Sequence, residues 1–233
     1  MKTMVMFDLL TAWGFMKQQV VVSIVVALVF AGATDMPLGL IPCLALMFAY
    51  SVGFTLAAYD ERNDWEKLRL TLPLSRADIV RGRYATFALA TLAGIALGCA
   101  LTAVLWALAQ VAPTIPVVSS LAAGVSWQIV VAMVAVSVVG ALVLWLVALP
   151  LIARFGMTKA VRFLPLAFVA VLPIATVLMQ QAGPPPAFVA DFVAWMVTPV
   201  GTVVASLAAV AVMAALFALS GALAVRLYEK REF

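Results

Sequence analysis

Six long, nearly uncharged apolar runs constrain this chain more than any other feature, at about residues 18–34, 38–58, 84–109, 127–153, 163–180 and 199–227. A helix needs roughly 20 apolar residues to cross a hydrocarbon core of about 30 Å. A lone span must also satisfy its own backbone hydrogen bonds, which an α-helix does and an open strand does not. The runs therefore predict an all-α integral membrane protein with six transmembrane helices. Composition agrees, with 67% hydrophobic and 10% charged residues, against about 25% charged in soluble domains. The whole chain, residues 1–233, reads as a single transmembrane domain.

Charge position sets the expected orientation. With a cytoplasmic N-terminus, all fourteen Lys and Arg residues fall on the cytoplasmic side, beginning with Lys2 and Lys17 before the first span. The expected outer loops carry only Asp35 and Asp191. Both termini are thus expected in the cytoplasm. In a membrane protein this placement matters more than the net charge of +4, and no nucleic-acid partner is expected.

Before the first span, Met6, Leu9, Leu10 and Trp13 recur at helical spacing, which predicts an amphipathic N-terminal helix lying on the inner leaflet. Lys17, the run Val20–Phe30 and Ala31-Gly-Ala33 also imitate a signal peptide with its cleavage site. The long preceding segment and its Asp8 argue against that alternative.

The stretch Tyr59–Tyr84 concentrates eleven of the twenty-four charged residues: Asp60, Glu61, Arg62, Asp64, Glu66, Lys67, Arg69, Arg76, Asp78, Arg81 and Arg83. Each Asp, Lys or Arg placed at a span's centre costs about 2.5–3.5 kcal/mol, so this stretch belongs in the cytoplasm. It also carries order. Asn63 with Glu66 makes a helix N-cap, Trp65, Leu68 and Leu72 follow at helical spacing, and Pro73 stops that helix. Ser75 with Asp78 caps a second helix that runs into the third span. On charge alone, a solvated positive-inside loop with an interfacial tryptophan fits equally well.

The run Asp60-Glu61-Arg62-Asn63-Asp64-Trp65 and the later Leu72-Pro73-Leu74-Ser75-Arg76-Ala77-Asp78-Ile79-Val80 resemble the first cytoplasmic loop of small permease subunits in the ABC type-2 exporter group. Those subunits show an acidic-Glu-basic-Asn-x-Trp run followed by Leu-Pro-x-Ser-Arg-x-x-Ile-Val. Phe155-Gly156-Met157-Thr158-Lys159-Ala160-Val161-Arg162 is similar to a second family loop, with Val161 inserted before the basic residue. The resemblance implies a cytoplasmic coupling helix between spans 2 and 3, docking into a separately encoded P-loop ATPase. Asp60, Glu61, Arg62, Asn63, Trp65 and Glu66 would dock, and Leu72, Pro73, Ser75 and Arg76 would form the corner that transmits motion. It further implies a second permease copy, identical or different, a bacterial cytoplasmic membrane, and export rather than import.

Several chemistries lack their parts. There is no G-x-x-x-x-G-K-[ST] phosphate loop, so this chain is not expected to cradle ATP in that manner; no cofactor is expected on it, and the resemblance places ATP with Mg on the partner ATPase. The six expected spans place no Asp, Glu, Lys or Arg near mid-membrane, which disfavours a proton- or sodium-coupled carrier. With no histidine and no CxxC, Cys43 and Cys99 read as packing thiols, and neither a metal site nor a disulfide is expected. Ser23, Ser51, Ser137, Ser206 and Ser220 have no His or Lys partner in a span, so the chain is not expected to be an enzyme. A polytopic scaffold or assembly factor, or an ATP-independent carrier, stays open beside the exporter subunit.

Ala90, Gly94 and Gly98 form a small-residue face on the third span, suited to close packing within the chain or to a subunit interface. Pro165 and Pro173 should bend the fifth span. Gly183-Pro184-Pro185-Pro186 precedes Phe188, Phe192, Trp195 and Met196 at helical spacing. That pattern predicts a short helix on the outer side, which reads as an aromatic anchor among membrane lipids or, as the family resemblance implies, a lid over an exit path. The aliphatic interior suits an amphipathic or hydrophobic substrate such as a peptide, lipid or drug.

Overall fold

The structure, a computed structural model, describes residues 2–33, 37–62, 75–112, 125–155 and 187–229. These form α1 (Lys2–Ala33), a 3-10 turn (Pro37–Gly39), α2 (Leu40–Arg62), α3 (Arg76–Val111), α4 (Trp127–Phe155), α5 (Ala187–Met196) and α6 (Pro199–Glu229). No strand occurs among the described residues. Five helices are long and apolar enough to cross a membrane, over Thr3–Val29, Leu40–Asp60, Arg76–Val111, Trp127–Ile152 and Pro199–Glu229. The all-helical, multi-pass reading therefore holds. The expected fifth span, 163–180, and the helix expected from Asn63 lie outside the described residues.

The N-terminal expectation is corrected. An in-plane amphipathic helix followed by a span from residue 18 is replaced by one uninterrupted helix of 32 residues. Its buried face carries Met4, Asp8, Ala12, Gln19, Ser23 and Ala27, at steps of four or seven, while Met6, Leu10 and Trp13 point outward. In lipid the large apolar side chains can face the hydrocarbon freely, so small and polar residues turn inward where helices approach and hydrogen-bond. Reading the large apolar residues as the buried face selects the wrong side of such a helix. The candidate span Thr3–Val29 includes Asp8 and Lys17.

Helix α3 is the hub, packing against α1, α2, α4 and α6. Ser75 starts it with extended backbone (φ −70°, ψ 150°), its Oγ accepting from the Asp78 N–H at 3.0 Å. This is the cap expected from Ser75 and Asp78. Its small-residue face packs against α2. A Cβ on Gly94 would lie 2.9 Å from the Ala45 Cα, one on Gly98 would lie 3.0 Å from the Ile41 Cα, and Ala90 is buried beside them. The stripe is thus occupied within the chain. Antiparallel α2 sits so close because those positions lack side chains. A third close approach puts Gly53 of α2 against Trp145 of α4, whose ring stacks on Phe87 of α3 at 4.2 Å and 1°.

Helix α4 contains Pro150, which has no N–H for the carbonyl four residues back, that of Leu146. The Ser220 hydroxyl of α6 donates to that carbonyl at 3.0 Å. The Tyr84 hydroxyl of α3 lies 2.9 Å from the same serine oxygen. Since the serine proton is directed at Leu146, Tyr84 is the donor in that pair. One polar chain thus ties α3, α6 and α4 together.

Candidate functional site

Most ionic residues of the described helices, Lys17 and Asp191 excepted, gather at one end of the bundle, and the site is built there. Three helix termini converge. Asp60 lies in the last turn of α2, Arg83 two turns into α3, and Asp8 two turns into α1. Arg83 pairs with Asp60 through Nη2, and its Nε lies 3.6 Å from Asp8 Oδ2. Thr86, one turn further along α3, donates to the same Asp8 oxygen at 3.2 Å and also contacts the Gly82 carbonyl at 3.1 Å. Asp8 is fully buried and Arg83 largely so. A carboxylate and guanidinium taken this far from water are tolerated only because they face each other and have hydrogen-bond partners.

The geometry closes the charged stretch at its base. Asp60 and Arg83 stand at the two ends of the segment that carries the resembled motif, so their ion pair ties together the two helices that flank it in sequence. Asp8 ties that clasp to α1. On the far side, Arg76 Nη1 donates to the Glu229 carbonyl at 2.8 Å, attaching the start of α3 to the end of α6. A displacement of the stretch would therefore reach α1, α2, α3 and α6 through named contacts.

The expected docking residues fare differently. Asp60, Ser75 and Arg76 are placed as described. Glu61 and Arg62 end α2, their side chains being outside the description. Asn63, Trp65, Glu66, Leu72 and Pro73 lie outside the described residues. Asp8 was not singled out for this site. Its signal was present as the lone carboxylate in an apolar segment, four residues from each of the small or flexible Met4 and Ala12.

At the opposite end, α5 is the expected short helix, with Phe188, Phe192 and Trp195 exposed and the Phe192 and Trp195 rings 5.7 Å apart. Its exit into α6 is rigid. The Thr198 Oγ1 bonds the Trp195 carbonyl at 2.7 Å and accepts from the Gly201 N–H at 3.1 Å, while the Thr202 hydroxyl donates to the Met196 carbonyl at 2.8 Å. A Cβ at Gly201 would fall 1.9 Å from the Trp195 carbonyl oxygen. Near this corner, between α4 and α6, lies an open groove of about 600 Å³ whose lining is almost wholly apolar and includes Met133, Val136, Met196 and Ala205.

Three of the intramembrane serines are committed to structure. Ser23, Ser51 and Ser137 donate to the carbonyls of Gln19, Met47 and Met133 at 2.6–2.8 Å, each within its own helix. Cys43 and Cys99 are free thiols, and the described residues contain no cluster of metal-ligating side chains.

The sequence matches the family model described as ABC-2 family transporter protein across residues 3–229. No curated protein and no solved structure matches it.

Proposed function

The chain belongs to the ABC-2 family of transporter proteins, and from that membership we propose that it is the membrane subunit of an ATP-driven exporter whose ATPase is a separate chain. Residues 60–83 are its coupling segment. The observation that carries this reading is the clasp between Asp60 and Arg83, with Asp8 behind it, which joins both roots of the segment to three membrane helices. A push on the segment from an ATPase would be passed to α2 and α3 together rather than absorbed in a slack loop.

In this reading the ionic end of the bundle faces the cytoplasm, in line with the distribution of Lys and Arg, and the membrane is a bacterial cytoplasmic one. Two permease copies, identical or different, enclose the substrate path between them. The substrate is amphipathic or hydrophobic, to which the apolar lining between α4 and α6 is suited. Phe188, Phe192 and Trp195 on α5 form an outer lid.

The test is a mild-detergent pull-down of the tagged protein from its own host, with mass spectrometry and a parallel Trp65→Ala preparation. Recovery of a P-loop ATPase with the wild type and its loss with the variant is the expected result. Recovery of the permease without any ATPase, even after cross-linking, would overturn the reading in favour of a scaffold or an unaided carrier.

A further inference from the structure

Helix α3 buries Thr86, Thr91 and Thr102. Thr86 and Thr91 turn their hydroxyls back to the carbonyls of Gly82 and Phe87, four residues earlier, at 3.1 and 2.9 Å. Thr102 departs from that pattern. The residue is 5% exposed, and its Oγ1 is buried without a hydrogen-bond partner among the described residues. Inside a membrane no water is at hand to satisfy such a group, so an orphaned hydroxyl is costly there.

Thr102 lines a groove of about 430 Å³ at the end of the bundle opposite the Asp60–Arg83 clasp. Ile41 at the start of α2, Cys99 and Trp106 on α3, and Trp127 and Val130 at the start of α4 form its walls. That volume falls in the range of about 300–1,000 Å³ typical of ligand sites, and far exceeds the ~30 Å³ of one water. A buried water would also need two or more polar partners, whereas this lining is almost wholly apolar around the Thr102 hydroxyl.

No charged side chain lines the groove, so an ionised ligand group would find no counter-charge there. A plain hydrocarbon would leave the hydroxyl orphaned. The lining therefore selects a molecule that is apolar along its length and brings one uncharged acceptor to Thr102. An acyl chain ending in an ester carbonyl has that make-up. Trp106 and Trp127 are exposed as well as lining the groove, and tryptophan favours the level where lipid headgroups meet hydrocarbon, which is where a glycerolipid carries its esters. Thr102 lies one turn from Trp106, about 6 Å along α3.

We propose that this groove is a lipid-binding site, in which one acyl chain of a diacyl glycerolipid lies between α4 and the α2–α3 pair and its ester carbonyl accepts a hydrogen bond from Thr102. The bound chain holds the start of α4 against its neighbours. The inference needs only that the chain crosses a membrane, and it goes beyond the coupling reading.

The test uses the full-length protein in mild detergent, with whatever subunits co-purify, stripped of lipid. The probe is phosphatidylcholine with a diazirine in the upper part of one acyl chain, mapped by mass spectrometry. Label is expected on residues 99–106 and 125–131. Unlabelled diester phosphatidylcholine should displace it about ten times better than the diether analogue, which has the same headgroup and chain length but no carbonyl; tenfold corresponds to about 1.4 kcal/mol. Thr102→Val should erase that preference, and Thr102→Ser should keep it. Equal displacement by the two lipids in the wild type would overturn the proposal without recourse to any variant. So would an ester preference that survives Thr102→Val, or label confined to other segments. Displacement by dodecane as effective as by the diester lipid would also overturn it, by showing an unselective apolar surface. The readout is lipid bound to this chain, so it can fail while an ATPase co-purifies and succeed where none does.

Discussion

Ser220 takes the place of the N–H that Pro150 lacks: its hydroxyl donates to the Leu146 carbonyl, four residues before the proline and in a different helix. A proline in a transmembrane helix leaves a carbonyl that water cannot reach, and a neighbouring helix has to supply the donor. Ser220→Ala should therefore destabilise the protein by about 0.6 kcal/mol, the average for interhelical hydrogen bonds in a membrane, and by no more than about 1.7 kcal/mol. In a Pro150→Ala background the carbonyl regains its helical donor, and the same serine substitution should cost less. A double-mutant cycle on thermal unfolding in detergent reads this coupling. Additive effects would show that the two residues act independently.

Gly53 and Gly14 make a contrasted pair. A Cβ on Gly53 would fall 2.0 Å from the Trp145 ring and 2.9 Å from Phe87, whereas nothing lies within 4 Å of one on Gly14. Gly53→Ala should cost about 1–3 kcal/mol through overpacking. Gly14→Ala should be stabilising by about 0.5–1 kcal/mol because it removes backbone freedom from a helix interior. Unfolding can be followed with a thiol-reactive dye, since Cys43 and Cys99 are free and partly buried. A Gly53→Ala protein as stable as the wild type would show that α2 and α4 are further apart than described.

The Asp8–Arg83–Asp60 cluster should show the asymmetry of buried ion pairs. Arg83→Met leaves two carboxylates without their shared cation, and removal of one partner of such a pair typically costs about 3–5 kcal/mol. Asp8→Asn keeps an acceptor for Thr86 and should be milder than Asp8→Ala, which leaves both Thr86 and Arg83 short of that partner. The expected order of melting temperatures is wild type, then Asp8→Asn, Asp8→Ala and Arg83→Met. An Asp8→Ala protein indistinguishable from wild type would mean that α1 is not tied to the clasp.

Residues whose role is local were legible in the sequence. Ser75 and Asp78 cap α3 because an N-cap needs only four consecutive residues, and the five charge-poor runs within the described residues are helices because lipid leaves the backbone no other choice. What was not legible depends on which way a helix turns in lipid. Met6, Leu10 and Trp13 were the conspicuous periodic residues of α1, yet its packed face is Met4, Asp8 and Ala12. Hydrophobicity does not distinguish a lipid-facing side from a protein-facing one when both solvents are apolar. Gly94 and Gly98 left open which helix would use them, and α2 of the same chain does.

The coupling reading predicts a separation of two activities that folding defects would lose together. Glu61 and Arg62 close α2 one or two residues after the Asp60 end of the clasp, and Trp65 follows in the motif. If these residues contact an ATPase, Glu61→Arg or Trp65→Ala should leave membrane insertion and melting temperature unchanged. Loss of a central tryptophan or a reversed charge at an interface commonly costs about 2 kcal/mol or more, enough to lower ATPase retention about thirtyfold. Substrate-stimulated ATP hydrolysis in proteoliposomes should fall with it, while the basal hydrolysis of the isolated ATPase stays as it was. Arg83→Met, in contrast, should lower stability and coupling together, because it releases the roots of the segment rather than its contact surface. Unchanged substrate-stimulated turnover in both Glu61→Arg and Trp65→Ala would sink the assignment of residues 60–66 to docking. A matching fall in melting temperature would reassign them to the fold.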